Sequence, residues 1–153
     1  MIILTLIFLL VDIVSKLLVS RYILLEKSIK IINNFLYITY VRNTGAAWSM
    51  FSSRSVLVLI VSFFIIVGIV LYVNKNRPKD KIERLAYSMI LGGALGNFVN
   101  RIVYGYVIDF IDVKIFKYDY PIFNLADSFI VIGVILLVVY AWRCENGNKS
   151  SRK

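Results

Sequence analysis

Four long apolar runs constrain this chain more than any other feature of it. They cover 1–20, 55–73, 85–103 and 122–142, each near or at the ~20 residues an α-helix needs to cross the hydrocarbon core of a bilayer. Inside lipid the backbone has no water to bond, so such segments fold as helices that satisfy their own N–H and C=O groups. The run 55–73 carries no charged residue at all. Hydrophobic residues make up 59% of the 153 and mean hydropathy is +0.78, well above an ordinary soluble composition. The expected fold is an all-α membrane protein: one polytopic domain over 1–153, with four transmembrane helices and a polar tail over 143–153.

Charge sets the expected orientation. Lys75, Arg77, Lys79, Lys81 and Arg84 crowd the short link between the second and third runs, and Arg143, Lys149, Arg152 and Lys153 follow the fourth. Under the positive-inside rule both regions, and with them both termini, belong in the cytoplasm. The segments 21–54 and 104–121 then face outward; they also hold Lys and Arg, so the bias is one of density. Because the +9 net charge gathers at these edges, it argues against a nucleic-acid partner. The first run has no basic leader, no small-x-small cleavage site and an aspartate inside it, so it reads as a span and not as a signal peptide. A lone cysteine, Cys144, excludes an intrachain disulfide and reads as inert.

The outer segment holds one non-helical element. Phe35 to Arg42 is rich in aromatic and β-branched residues, which predicts a strand in a small β-sheet on the outer membrane surface. The aromatic stretch 113–120 is expected on the same surface. Asn74 to Asp80, with Pro78, reads as a tight turn between helices, and the tail from Glu145 as disordered.

Histidine is absent. That excludes Ser-His and Cys-His nucleophile pairs and a His-Glu-x-x-His zinc site, and leaves paired carboxylates open. Asp109 and Asp127 end consecutive apolar segments, so a helix hairpin brings both to one face of the bilayer. Two close aspartates share a proton: the ionised one can activate water while the protonated one polarises a carbonyl. The competing reading makes them helix caps or interfacial charges. Asp112 and Asp119 are rival acids, expected in a loop where solvation is cheap. Asp12 and Lys16, four apart with the acid first, either form a self-satisfied pair or contact substrate or an active-site loop. Gly92 and Gly96 form a small-xxx-small pair for close helix approach. Gly93, Asn97 and Arg101 step along one face toward the outer side, and a polar stripe in a bilayer helix needs partners or a wet cavity.

Five blocks in order carry a resemblance: Asp12-x-x-Ser-Lys16, Arg42-Asn-Thr-Gly-Ala-Ala47, Gly92-Gly-Ala-Leu-Gly-Asn97, Gly105-Tyr-Val-Ile-Asp-Phe110 and Phe123-Asn-Leu-Ala-Asp127. From first helix to last the chain resembles lipoprotein signal peptidase, also called signal peptidase II. The resemblance implies an aspartic endopeptidase of the bacterial cytoplasmic membrane, with its site toward the outer face. It would remove the signal peptide of a diacylglyceryl-modified prolipoprotein just before the lipidated cysteine. Asp109 and Asp127 fall on the catalytic pair. Asn43, Gly45, Asn97, Arg101, Asn124 and Ala126 fall on motif positions around the substrate groove, and Asp12 and Lys16 on the first-helix motif. It implies no metal or other cofactor, membrane lipid as surroundings, globomycin-type inhibitors and a monomer. Asn100 departs from the pattern, which commonly has an aspartate there, and puts in doubt how Arg101 is held. Trp48 stands where a phenylalanine is more usual.

From the residues alone a small proton-coupled transporter or channel component is the alternative, with Asp12, Lys16, Asp109 and Asp127 as a relay. The acids cluster on the outer side, whereas a through-membrane path wants groups at both depths. A scaffold without chemistry would leave Asn97, Arg101 and Asp127 in the membrane without a reason.

Overall fold

The computed structural model describes residues 1–45, 55–115 and 118–150. Four helices, α1 (Ile2–Tyr22), α2 (Ser55–Asn76), α3 (Lys81–Tyr104) and α4 (Leu125–Ser150), alternate with four strands, β1 (Ser28–Ile32), β2 (Leu36–Asn43), β3 (Val107–Ile115) and β4 (Tyr118–Asp119). The tail does not start at Glu145: α4 continues to Ser150, running past Asn146 and Gly147 with no proline to break it.

The helices bury polar groups and expose apolar ones, the reverse of a soluble bundle. Along α1, Asp12, Lys16 and Val19 are the buried residues, while Leu6, Leu10 and Leu18 are more than half exposed. Exposed apolar area on this scale is stable only against lipid. Three helices are long and apolar enough to span: Ile2–Tyr22, Val56–Asn76 and Leu125–Glu145, with mean hydropathies of 2.6, 3.2 and 2.3. The expected third span does not meet that description. Residues 81–104 form α3, which has the length, but Lys81, Glu83, Arg84, Asn97, Asn100 and Arg101 dilute its apolar character. It is instead the central helix, touching the other three and burying ten residues.

Small residues let α3 take that position. A Cβ on Gly92 would fall 2.6 Å from Phe8 Cβ on α1, and one on Gly96 would collide with the Asp12 carboxylate. One on Gly93 would strike the Ala126 carbonyl of α4. Asp80 starts α3 by accepting from the N–H of Ile82 at 2.7 Å, and Gly105 ends it in the left-handed conformation at φ 76°, which costs glycine little.

The sheet, in order β1-β2-β3-β4 and antiparallel throughout, lies at the bundle end where α1 and α3 finish and α4 starts. Val19 and Ile23 pack there against Tyr40, Ile108 and Phe110. The expected strand 35–42 is β2. Two expectations need correction. The rival acids Asp112 and Asp119 are not in a loop: Asp112 lies in β3, opposite Tyr37 of β2, and Asp119 lies in β4, while Asp109 also lies in β3, opposite Val41. Asp112 is buried and accepts from Thr39 Oγ1 at 2.8 Å, so its solvation is replaced by a cross-strand hydrogen bond.

Candidate active site

Two backbone features bring Asp109 and Asp127 together. Phe123 lies against β3, its carbonyl accepting from the N–H groups of Phe110 at 2.9 Å and Ile111 at 2.7 Å. This holds the residue after Phe123, Asn124, beside the residue before Phe110, Asp109. The second feature is the start of α4. Asn124 Oδ1 accepts from the Asp127 N–H at 3.0 Å, and Asp127 Oδ2 accepts from the Asn124 N–H at 3.2 Å. That reciprocal exchange is a capping box. The cap reading of Asp127 is therefore true, but it accounts for one oxygen only.

The other carboxylate oxygens are bound by asparagines. Asp127 Oδ1 accepts from Asn97 Nδ2 at 2.7 Å. Asp109 Oδ1 accepts from Asn124 Nδ2 at 2.6 Å, and its Oδ2 from Asn43 Nδ2 at 2.8 Å. Asn124, fully buried, thus bridges the two aspartates. Asn43 stands two places along β2 from Val41, the register partner of Asp109, at the diagonal spacing from which a side chain reaches across a ladder. The ladder shifts register between Ile38 and Val41, a bulge of the kind that re-aims side chains beside functional sites.

Asp12 and Lys16 pair at 2.7 Å, with side chains 0% and 1% exposed. The pair is not self-contained. Lys16 Nζ also donates to Asn97 Oδ1 at 2.8 Å, and Asp12 Oδ1 accepts from the Ala126 N–H at 3.0 Å. Asp12 thereby fixes the first turn of α4, and Lys16 orients the amide that holds Asp127. The pair is therefore not satisfied within α1 alone: its further hydrogen bonds reach Asn97 of α3 and the first turn of α4.

Arg101 is half-buried in the last turn of α3. Its guanidinium makes two long hydrogen bonds, to the Gly45 carbonyl at 3.4 Å and the Asn97 carbonyl at 3.5 Å, and feels the charges of both Asp127 and Asp109. Asn100 does not hold Arg101. It is buried and accepts from the Ile108 N–H at 3.1 Å, which anchors β3 next to Asp109. Gly45 in turn donates its N–H to Asn43 Oδ1 at 2.9 Å. Ala46, Ala47 and Trp48, from the second block, lie outside the described residues.

All ten sequence-derived site residues therefore meet in one network. Asp109 is 3% exposed; burial, with the Asp127 charge adding to it, pushes its carboxyl up to about 6 against the hydrogen bonds of Asn43 and Asn124. Asp127 is less buried and borders an open cavity of about 620 Å³. Its walls are mainly apolar, from Val113 and Ile115 of β3, Tyr120 and Phe123, and Ile130 and Val131 of α4. The apolar groove thus ends at Asp127, which Asn124 links to the buried Asp109; two carboxylates held this close can share one proton. Sequence reading missed the main chain of Phe123. The signal available was the Asn124-x-x-Asp127 box, which starts α4 at Leu125, so that 121–123 must be extended.

A family model, signal peptidase (SPase) II, matches residues 4–143. A lipoprotein signal peptidase of Anoxybacillus flavithermus is 44% identical over 140 residues, covering 92% of this chain and 83% of that protein. One from Geobacillus thermodenitrificans is 41% identical over 138 residues, covering 88% and 86%. Two solved structures, both described as a bacterial membrane enzyme studied by the in meso method, superpose with TM-scores of 0.86 and 0.82 at 36% and 37% identity. The first covers 99% of this chain and 90% of its own, the second 92% and 90%.

Proposed function

The chain belongs to the signal peptidase II family, proteases that remove signal peptides from prolipoproteins, and from that premise we propose that it is an aspartic endopeptidase cutting before a diacylglyceryl-modified cysteine. The observation that carries the reading is the Asn124 bridge: one buried asparagine bound to both Asp109 and Asp127, at the mouth of an apolar cavity. Three carboxylates, Asp12, Asp109 and Asp127, face two cations, Lys16 and Arg101, in this network. In a low dielectric such a cluster favours neutrality, which requires one bound proton. The raised Asp109 carboxyl supports its holding that proton.

Hydrolysis then follows from position. Asp127, at the cavity, takes a proton from a water as its oxygen attacks the scissile carbonyl carbon. Asp109 gives its proton to the carbonyl oxygen, so that the tetrahedral intermediate forms without net charge. As the C–N bond breaks, the proton held by Asp127 passes to the leaving nitrogen, and Asp109 recovers its own from the collapsing diol. Arg101 and the Gly45 carbonyl, joined by a long contact, are suited to exchange it for the substrate backbone. The membrane arrangement belongs to the same proposal. All four helices cross, α3 shielded by the others, with both termini cytoplasmic and the sheet on the outer surface. The substrate's acyl chains stay in the bilayer beside the cavity.

The test is cleavage of a purified diacylglyceryl prolipoprotein by the full chain in detergent, read as a gel shift, with a metal chelator in parallel. Cleavage indifferent to the chelator is expected. Folded protein that leaves a confirmed substrate intact would overturn the reading.

A further inference from the structure

At the other end of the bundle, where α1 begins and α2 ends, lies a second cavity of about 500 Å³. Nothing in the reaction above uses it. Ile2 and Ile3 of α1, Val73 of α2, Arg77 and Pro78 of the link and Arg84 of α3 form its walls. We propose that it is a binding site for an anionic phospholipid, the two arginines taking the phosphodiester and the apolar wall the glycerol and first acyl carbons.

Two features of the cavity support this occupant. The first is unanswered charge. The stretch 75–84 holds Lys75, Arg77, Lys79, Lys81 and Arg84 against two acids, Asp80 and Glu83. Asp80 directs its carboxylate to the α3 N–H groups, and Glu83 is not on the cavity wall. The Asp12–Lys16 ion pair lies at the opposite end. Arg77 and Arg84 therefore reach the cavity from two elements, and among the described residues no acid shares its wall. The first turn of α1 adds N–H groups that favour negative charge there.

The second feature is that half of the wall is oily and faces outward: Ile2 and Ile3 are 79% and 75% exposed. A free phosphate gains nothing from such a wall, whereas a lipid headgroup brings its own apolar stem. Basic pockets between membrane helices are where anionic headgroups bind. The backbone is consistent with selection for the cation. Arg77 closes α2 in the left-handed conformation, at φ 45°, with its N–H on the Val73 carbonyl at 2.8 Å. That position ordinarily takes glycine or asparagine.

The experiment is native mass spectrometry of the full chain, presented with equal amounts of phosphatidylglycerol and phosphatidylcholine. The wild type should retain phosphatidylglycerol preferentially. Arg77→Gly and Arg84→Gln should each lower that preference about fivefold, and the double variant about twenty-fivefold if the effects add. Arg84→Lys should keep most of it, and Lys79→Gln, off the cavity wall, all of it. Arg77→Gly suits the left-handed backbone, so its loss of lipid is not a loss of fold; circular dichroism verifies this. Equal retention of the two lipids by wild type, or undiminished preference in the double variant, overturns the proposal. So does displacement of the lipid by millimolar inorganic phosphate, which would make it a site for the free anion. No cleavage assay enters, so this inference can fail without the peptidase reading, and the reverse.

Discussion

The two ends of the helix bundle handle charge in opposite ways. At the sheet end five ionisable groups, Asp12, Lys16, Arg101, Asp109 and Asp127, sit within one network whose asparagines bind both oxygens of each aspartate in the proposed pair. At the far end five cations stand between α2 and the first turn of α3 without an ion pair among the described residues. The difference lies in what surrounds them. Where water is excluded, an unpaired charge costs several kcal/mol and the sequence supplies partners. Where water and headgroups supply the counter-charge, the chain can leave its cations open. A buried network is thereby preorganised for chemistry, and an exposed cluster for a ligand.

Removing a charge at each end should show this directly. Lys16→Met leaves Asp12 buried without its cation and should destabilise by about 3–5 kcal/mol, read as a large fall in the thermal midpoint in detergent. A midpoint within a degree or two of wild type would mean that water reaches the pair.

A smaller effect comes from pH. The Asp109 carboxyl stands at about 6 in the folded protein against an ordinary 3.8. Its burial favours the protonated form, so this contribution to stability is fully present below pH 3.8 and is lost as pH rises through about 6. The swing is on the order of 2–3 kcal/mol, and Asp109→Asn should flatten it in unfolding curves taken from pH 4 to 8. An unchanged swing in the variant would assign it to another group. The smallest effect belongs to the far end. Arg77→Gly should raise stability by about 1 kcal/mol through relief of the left-handed backbone and leave cleavage unchanged; a destabilised variant would mean that the arginine makes contacts within the protein.

How much of this the sequence could reveal followed from the range of each interaction. The i, i+4 spacing of Asp12 and Lys16 and the Gly92/Gly96 pair are local signals, and both were legible. So were three of the spans. The limits of α3 were not, because an apolar window stops at Leu85 while the helix starts at its cap, Asp80. The strand β3 around Asp109 went unread because Val107 to Phe110 are buried in succession, and a strand covered on both faces lacks the alternation that announces one. The start of α4 was misplaced for a similar reason: Ile122 and Phe123 extend the apolar run but belong to an extended arm. That arm's bonds to Phe110 and Ile111, and the Asn124 bridge they create, depend on residues remote from one another in the fold's assembly. Resemblance alone had suggested Asn43; the hydrogen bonds of Asn43 and Asn124 to Asp109 supply a physical reason for both.

The central claim is that Asp109 and Asp127 act as one unit. The direct measurement is cleavage of a diacylglyceryl prolipoprotein by Asp109→Asn and by Asp127→Asn, each checked for a wild-type-like thermal unfolding curve. Asparagine keeps the shape and one acceptor oxygen of either residue, so folding should survive. Each variant should lose at least about 10²–10⁴-fold in rate, the range for removing a general acid or base. A folded variant that still cleaves at close to the wild-type rate would contradict the account and remove that aspartate from the mechanism.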